Sequence, residues 1–533
     1  MSIKKDTKKT RTEYTIRNII AGLGNNVIGL LLPFIVRTIL IKKLGADYVG
    51  VSSLFISILQ ILNVTELGFA SAIVYSMYEP VAKNDISEIK KKISLFRTIY
   101  VLVGIVILFA GLLVIPFIPK LIRGDVPPNL NIYLVFFIYL VNTVISYCVF
   151  GYKNSILVVY QRNDLISSTA SLVSIARCLI QIIVILGLKN FYLFAIAIPA
   201  TTLIGNLYIS HLTNKLHPEL RDNYKFSLSG ISCLKKQIVG IAIGRISLVC
   251  RNSFDSIIIS ILFGLTMTAI YSNYYFVFSS LSGFLSVLLV SMSASVGNSL
   301  VTESLEKNRK DHNRFDFYYE FIVSFCTICL FSLYQPFMQV WAGDMLMLPS
   351  SSVVLFCLYF YINHLAQVRS VYSEAAGLWW FFKCFAIGEV IADLILNLVL
   401  GLIWGINGII IATIITVFIC SFIGCTVITF KKLFLESPQL YFLYNLLYFI
   451  VAIVGCYVVY LISMFIVVDS WLGFFAKAVF CATVAILYLL GIYFILGFSR
   501  EYLVSMFMHI KHRLKRVGGK HYESDSAVNR EGK

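Results

Sequence analysis

The sequence predicts an all-α polytopic membrane protein. About fourteen transmembrane helices are expected, as two six-helix lobes related by an internal repeat plus two extra C-terminal helices. Three observations carry that expectation. Of 533 residues, 59% are hydrophobic and only 13% charged, with a mean hydropathy of +0.84; soluble domains carry about 25% charged residues. Apolar runs long enough to cross a bilayer follow one another along nearly the whole chain. Placed alternately across the membrane, they gather most of the 44 basic residues on one side, the bias that orients membrane proteins.

Taken in order, a basic cytoplasmic N-terminus (1–14) precedes the first span. No cleaved signal peptide is expected, because the apolar stretch after Arg11 is too long for an h-region and lacks a small-residue cleavage site. Spans are placed at about 15–41, 47–78, 94–117, 130–152, 163–187, 191–212, 237–263, 266–297, 316–341, 351–375, 379–402, 405–430, 440–467 and 471–497. The N-lobe covers 15–212 and the C-lobe 237–430. A cytoplasmic loop, 213–236, joins them and is too short to be a domain. Helices thirteen and fourteen occupy 440–497, and a basic cytoplasmic tail, 498–533, follows; His512–Lys533 is expected to be disordered. The cytoplasmic segments include MSIKKDTKKTR, KNDISEIKKK, KNRKDHNR, Lys431-Lys432 and KHRLKR. Both termini therefore lie in the cytoplasm of a multi-pass cytoplasmic-membrane protein. This topology accounts for the net charge of +17, so no nucleic-acid partner is expected.

The repeat shows in two places. Pro116-Phe117-Ile-Pro-Lys-Leu-Ile-Arg-Gly124-Asp125 follows span three, and Pro336-Phe337-Met-Gln-Val-Trp-Ala-Gly343-Asp344 follows span nine, about 220 residues later. At a similar offset, Lys42-Lys43-Leu44-Gly45 with Tyr48 matches Ile261-Leu262-Phe263-Gly264 with Tyr271 loosely. Because six spans is an even number, both copies enter from the same side, as a parallel repeat.

Candidate site residues are polar groups at membrane depth. The seventh span, within Lys235–Phe263, carries Arg245, Arg251 and Asp255, and a charge at bilayer depth costs at least ~2.5–3.5 kcal/mol. Arg245, Asn252, Ser256 and Ser260 share about 80° of helix arc. Arg251 and Asp255 flank that stripe, four residues apart, and can pair along the helix. Span one places Asn18, Gly22, Asn25, Gly29 and Pro33 on one side, with Arg37 near the outer end; span five carries Ser174, Arg177 and Gln181. Span eight offers Ser272, Tyr275, Ser279, Ser282 and Ser286. Span ten gives Asn363, Gln367, Ser370 and Glu374, span eleven Glu389 and Asp393, and span two Glu66. Any one stripe suits hydrogen bonding between helices; many stripes in both halves suit a shared cavity. Arginines there would bind phosphate in bidentate fashion, while amides, hydroxyls and tyrosine rings suit sugars. The buried acids would neutralise the arginines, or couple transport to H+ or Na+.

Signs of an enzyme are thin. The sequence holds no P-loop, GxSxG, DxD or HExxH. The twelve cysteines are scattered, and the lone CxxC, Cys326 to Cys329, lies inside a predicted span, where cysteine is a small apolar filler. No metal and no cofactor are expected.

The sequence resembles the Wzx-type polysaccharide flippases of the multidrug/oligosaccharidyl-lipid/polysaccharide (MOP) exporter superfamily. The similarity lies in Leu44-Gly45-Ala-Asp-Tyr48-Val-Gly50-Val51, running on to Ile61-Leu62-Asn63-Val-Thr-Glu66-Leu67-Gly68-Phe69-Ala70. It continues in Asp255-Ser-Ile-Ile-Ile-Ser260 with Gly264 and Tyr271, and in Gly405-Ile-Asn-Gly408-Ile-Ile-Ile-Ala412-Thr413. These loose strings span about Arg17 to Gly497 and specify the superfamily better than the substrate. The resemblance implies a MATE-like fold with a cationic central cavity opening alternately to each side. The implied cargo is an undecaprenyl-pyrophosphate-linked oligosaccharide, for capsular polysaccharide, exopolysaccharide or O-antigen. It implies membrane lipids, a polysaccharide polymerase and a chain-length regulator as partners. The pyrophosphate role is carried onto Arg37, Arg177, Arg245 and Arg251. Asn25, Asn252, Tyr275, Asn363 and Gln367 are the polar cavity candidates, and Glu66, Asp255, Glu374, Glu389 and Asp393 the coupling or charge-balancing acids. The lipid II flippase branch shares the architecture, but its arginine-rich first helix is absent here. Alternatives are a MATE-type multidrug/cation antiporter and a membrane-embedded polymerase. An arginine-lined cavity would repel the cations of the first; the second needs a large external loop, and none here exceeds about 15 residues.

Overall fold

The computed structural model describes residues 11–63, 69–124, 126–128, 130–221, 231–497 and 500–505. It is helical throughout, with no strand among the described residues. In order the helices are α1 (Arg11–Lys43), α2 (Ala46–Leu62), α3 (Phe69–Ala82), α4 (Ile86–Val114), α5 (Ile132–Cys148), α6 (Lys153–Val159), α7 (Asn163–Leu188) and α8 (Phe191–Leu216). Then come α9 (Ile231–Thr302), α10 (Leu305–Ala342), α11 (Ser350–His364), α12 (Gln367–Ala375), α13 (Trp379–Trp404), α14 (Ile406–Thr416), α15 (Cys425–Thr429), α16 (Gln439–Ser463) and α17 (Trp471–Ile495). π-helical turns, Val417–Gly424 and Phe430–Phe434, flank α15.

By length and composition, 11 described helices can cross a membrane, or 12 if α5 and α6, bent by 50°, form one span. The other two expected spans have visible positions. α9 runs for 72 residues but is broken at Gly264 (φ 83°, ψ −176°), so it holds spans seven and eight in tandem. The expected second span is divided between α2 and α3, and residues 64–68 between them lie outside the description. The chain is a multi-pass, all-α membrane protein.

Side chains sort accordingly. α7 exposes Leu172, Leu179, Ile183 and Leu186 and buries Ser171, Cys178, Gln181 and Ile185. In lipid, exposed leucine carries no penalty, and small or polar groups go to helix contacts. Side-chain caps fix several helix starts: Asp85 accepts from the Glu88 amide, Asn131 from Leu134, Asn190 from Tyr192 and Leu193, and Ser304 from Lys307. The glycines of the repeated motif share a conformation, Gly124 at φ 85° and Gly343 at φ 83°. Only glycine takes that region without steric cost.

Contacts divide the chain into two compact units. The first comprises 1–280 with 379–416, and the second 281–378 with 417–533. In the first, α1 packs on α7, α7 on α8, α8 on α5, α5 on α4, and α13 on α14. Its core holds Val51, Leu54, Phe55, Val135 and Phe136, with Phe55 edge-on to Phe136 at 5.2 Å. In the second, α10 is the hub for α11, α12, α16 and α17, around Phe317, Ile328, Val459, Cys481 and Tyr493.

Candidate functional site

Two polar assemblies lie inside the first unit. One is cationic. Arg37, near the end of α1, donates through Nε to Asn273 Oδ1 at 2.5 Å and through Nη2 to Ser272 Oγ, with its guanidinium 5.9 Å from the Phe276 ring centroid. Ser272 in turn receives the Ser53 hydroxyl at 3.0 Å, and the neighbouring Ser52 receives Tyr139 at 3.0 Å. Arg177 on α7 donates to Thr201 and Thr202 of α8 at 3.0 and 3.3 Å, and Thr202 donates onward to Asn142 of α5 at 2.8 Å. Both arginines are partly buried. No carboxylate among the described residues lies within 4.0 Å of either. Their charge is thus held by neutral oxygens and a ring face, which leaves it available to an anion.

The other assembly is acidic, built where the first half of α9 meets α13 and α14. Arg251 donates to Glu389 at 2.8 Å, both side chains being buried. Asp255 accepts from Tyr271 at 2.6 Å, Asn397 at 2.9 Å and Thr413 at 3.3 Å. Asp393 accepts from Asn397 at 3.1 Å and Thr416 at 3.2 Å. One amide nitrogen, Asn397 Nδ2, therefore bridges two carboxylates, while Asn397 Oδ1 is buried without a hydrogen-bond partner among the described residues. Among the described residues, three acids gather here about one arginine. Close helix approach makes this possible: a Cβ on Gly408 would stand 1.9 Å from the Leu400 carbonyl oxygen, where α14 meets α13.

Sequence spacing allows Arg251 to pair with Asp255 one turn along α9. The structure corrects this: α13 brings Glu389 opposite Arg251, and Asp255 turns to Tyr271, Asn397 and Thr413. The stripe Asn363, Gln367, Ser370 and Glu374 assumed one continuous helix. Leu365 and Ala366 break it, with Ala366 at φ 59°, so α11 and α12 present different faces. Gln367 donates to the Asn363 carbonyl at 2.7 Å, and Glu374 is exposed. Asn25 accepts from Ser171 at 3.2 Å, joining α1 to α7, and Tyr275 stacks on Tyr271 at 6.3 Å. Arg245 and Asn252 lie on α9, but their side chains are outside the described residues, as is Glu66. Sequence reasoning missed Asn397, Thr413 and Thr416. Asn397 had a signal, since it continues Glu389 and Asp393 at the same four-residue step.

Against solved structures, the chain is similar to the lipid II flippase MurJ in an inward closed conformation. The TM-score is 0.63 at 15% identity, over 90% of this chain and 99% of that one. It shares the fold of that flippase. An inward-facing multidrug resistance MATE family transporter of the MOP superfamily matches with a TM-score of 0.58 at 13% identity, covering 77% of this chain and 96% of the other. A MOP superfamily transporter from Pyrococcus furiosus, described with a binding pocket whose reversed polarity suggests a different function, matches at 0.53 and 14% identity, over 81% and 100%. No protein-family model and no curated protein sequence matches the chain.

Proposed function

We propose that this protein is a flippase that moves an undecaprenyl-pyrophosphate-linked oligosaccharide from the inner to the outer leaflet of the cytoplasmic membrane by alternating access. The glycan would serve capsule, exopolysaccharide or O-antigen assembly. The observation that carries this is the pair Arg37 and Arg177, partly buried and without a carboxylate partner among the described residues. A pyrophosphate suits such groups, because the planar guanidinium binds its oxygens in bidentate fashion. The serine, threonine and asparagine belt beside them suits sugar hydroxyls. The MurJ neighbour is a lipid II flippase, which favours a lipid-linked cargo. A multidrug cation exporter would need the opposite field, and the Pyrococcus furiosus neighbour is described with a pocket of reversed polarity on this fold.

The acidic assembly is assigned the coupling role, with H+ or Na+ acting at Asp255 and Asp393. A 180° turn of the Asn397 amide would aim its oxygen, now without a partner, between the two carboxylates. Glu389 neutralises Arg251 in this scheme. Arg245 remains a pyrophosphate candidate on its position in α9. The test is cellular: Arg37→Ala and Arg177→Ala should each abolish surface polysaccharide while the protein still reaches the membrane. Unchanged polymer with both variants, or drug efflux that depends on the protein, would overturn the assignment. Imposing Na+ and pH gradients separately in the same cells identifies the coupling ion.

A further inference from the structure

The second unit carries a polar seam that the proposed transport cycle does not use. α10 presents Asn308, His312, Asp316, Glu320 and Ser324 at four-residue intervals, all buried. Asp316 is well supported: Tyr441 of α16 donates to it at 3.2 Å, and the charges of Arg309 on α10 and Arg369 on α12 reach it. Arg369 itself donates to the Ser421 carbonyl in the first π-helical turn.

One turn along the helix the conditions change. Glu320 is wholly buried, and among the described residues neither of its carboxyl oxygens has a hydrogen-bond partner. The groups that act on it are Asp316 and Tyr319 from its own helix, Tyr361 from α11, Tyr441 and Tyr448 from α16, and Tyr493 from α17. None of them is a cation. His364 of α11 is engaged by Tyr319 at 2.8 Å and Ser282 at 2.9 Å, and His312 lies a further turn toward the helix start, between the rings of Tyr372 and Phe434. A second observation points to an occupant. The Tyr361 hydroxyl, buried to 1% exposure, acts on Glu320 but stands outside hydrogen-bond geometry, and the Ser324 hydroxyl is likewise buried without a partner.

An ionised carboxylate without water or partners is costly to bury, and a second negative charge one turn away adds to that cost. A proton on Glu320 removes the charge and supplies a donor to a site that has spare hydroxyl oxygens. We propose that Asp316 and Glu320 form a proton-binding dyad, in which Glu320 carries the proton and Asp316, within reach of Arg309 and Arg369, carries the negative charge. The proton comes from water and returns to it, with no other co-reactant. This gives the second unit an ionisable site of its own, separate from the acids around Asn397.

The dyad is tested on the full-length chain in lipid nanodiscs by infrared spectroscopy in H2O and D2O. At neutral pH the wild type should show the C=O stretch of a protonated carboxylic acid, and Glu320→Gln should remove an amount equal to one carboxyl per chain. Glu79→Gln, at an exposed position, should leave the band intact. Glu320→Gln should also keep the wild-type thermal midpoint, since the amide has the shape and neutrality of the acid. A band unchanged by Glu320→Gln overturns the proposal. So does failure of that variant to fold, which would mean that the site needs a charge.

Discussion

Two groups of buried acids, one in each unit, solve the same problem differently. Around Asn397, the carboxylates of Asp255, Glu389 and Asp393 are met by an arginine, an amide, a tyrosine and two threonines, drawn from three helices. Along α10, Asp316 has a tyrosine donor and two arginines within reach, while Glu320 has no hydrogen-bond partner among the described residues. Acids in a membrane interior survive by pairing or by losing their charge. The first group depends on its partners, so removing one strands another. The second depends on a proton, so a neutral substitute should be tolerated.

The largest effect should come from breaking the ion pair. Arg251→Met takes from buried Glu389 the guanidinium that stands 2.8 Å from it and should cost about 3–5 kcal/mol, read as a fall in thermal midpoint in detergent. The double variant with Glu389→Leu should recover most of it. Next comes Gly408→Ala, which forces α13 from α14 and so loosens Asn397 and Thr413 together. About 1–3 kcal/mol is expected from overpacking, whereas Gly22→Ala, with nothing within 4 Å of the added carbon, should leave the midpoint unmoved. Thr413→Val removes one donor from Asp255 and should cost about 1 kcal/mol. Equal midpoints for Thr413→Val and wild type would show that Tyr271 and Asn397 suffice. Smallest is Glu320→Gln, expected to leave the thermal midpoint near that of wild type because the amide is neutral and of the same shape; a loss matching that of Arg251→Met would erase the distinction between the two groups.

Much of this was legible in the sequence. Hydropathy and basic loops gave the helical membrane class, and the four-residue step from Glu389 to Asp393 marked one acidic face. Helix–helix partners were not legible, because spacing along α9 says nothing of which helix lies opposite; hence Arg251 was matched to Asp255 rather than Glu389. The α10 seam was lost to a boundary. KNRKDHNR reads as a cytoplasmic loop, and hydropathy begins the ninth span at residue 316. The helix starts at Leu305 behind a Ser304 cap. Begun there, the steps from Asn308 to Ser324 line up. The turn at Ala366 gave no warning, since no glycine or proline marks it.

The break at Gly264 has a consequence for the loop that follows α4. A Cβ on Gly264 would stand 2.5 Å from the Arg123 carbonyl oxygen. The Arg123 amide donates to the Ser260 carbonyl at 3.0 Å, and its guanidinium donates to that of Leu262. Two acceptors left over by the interrupted helix are thereby satisfied from Arg123, 139 residues before Leu262. Connecting segments ordinarily drift, lengthen and shorten with little harm. This one is bound to a distant repair, so trimming it would unravel a helix it never adjoins in sequence.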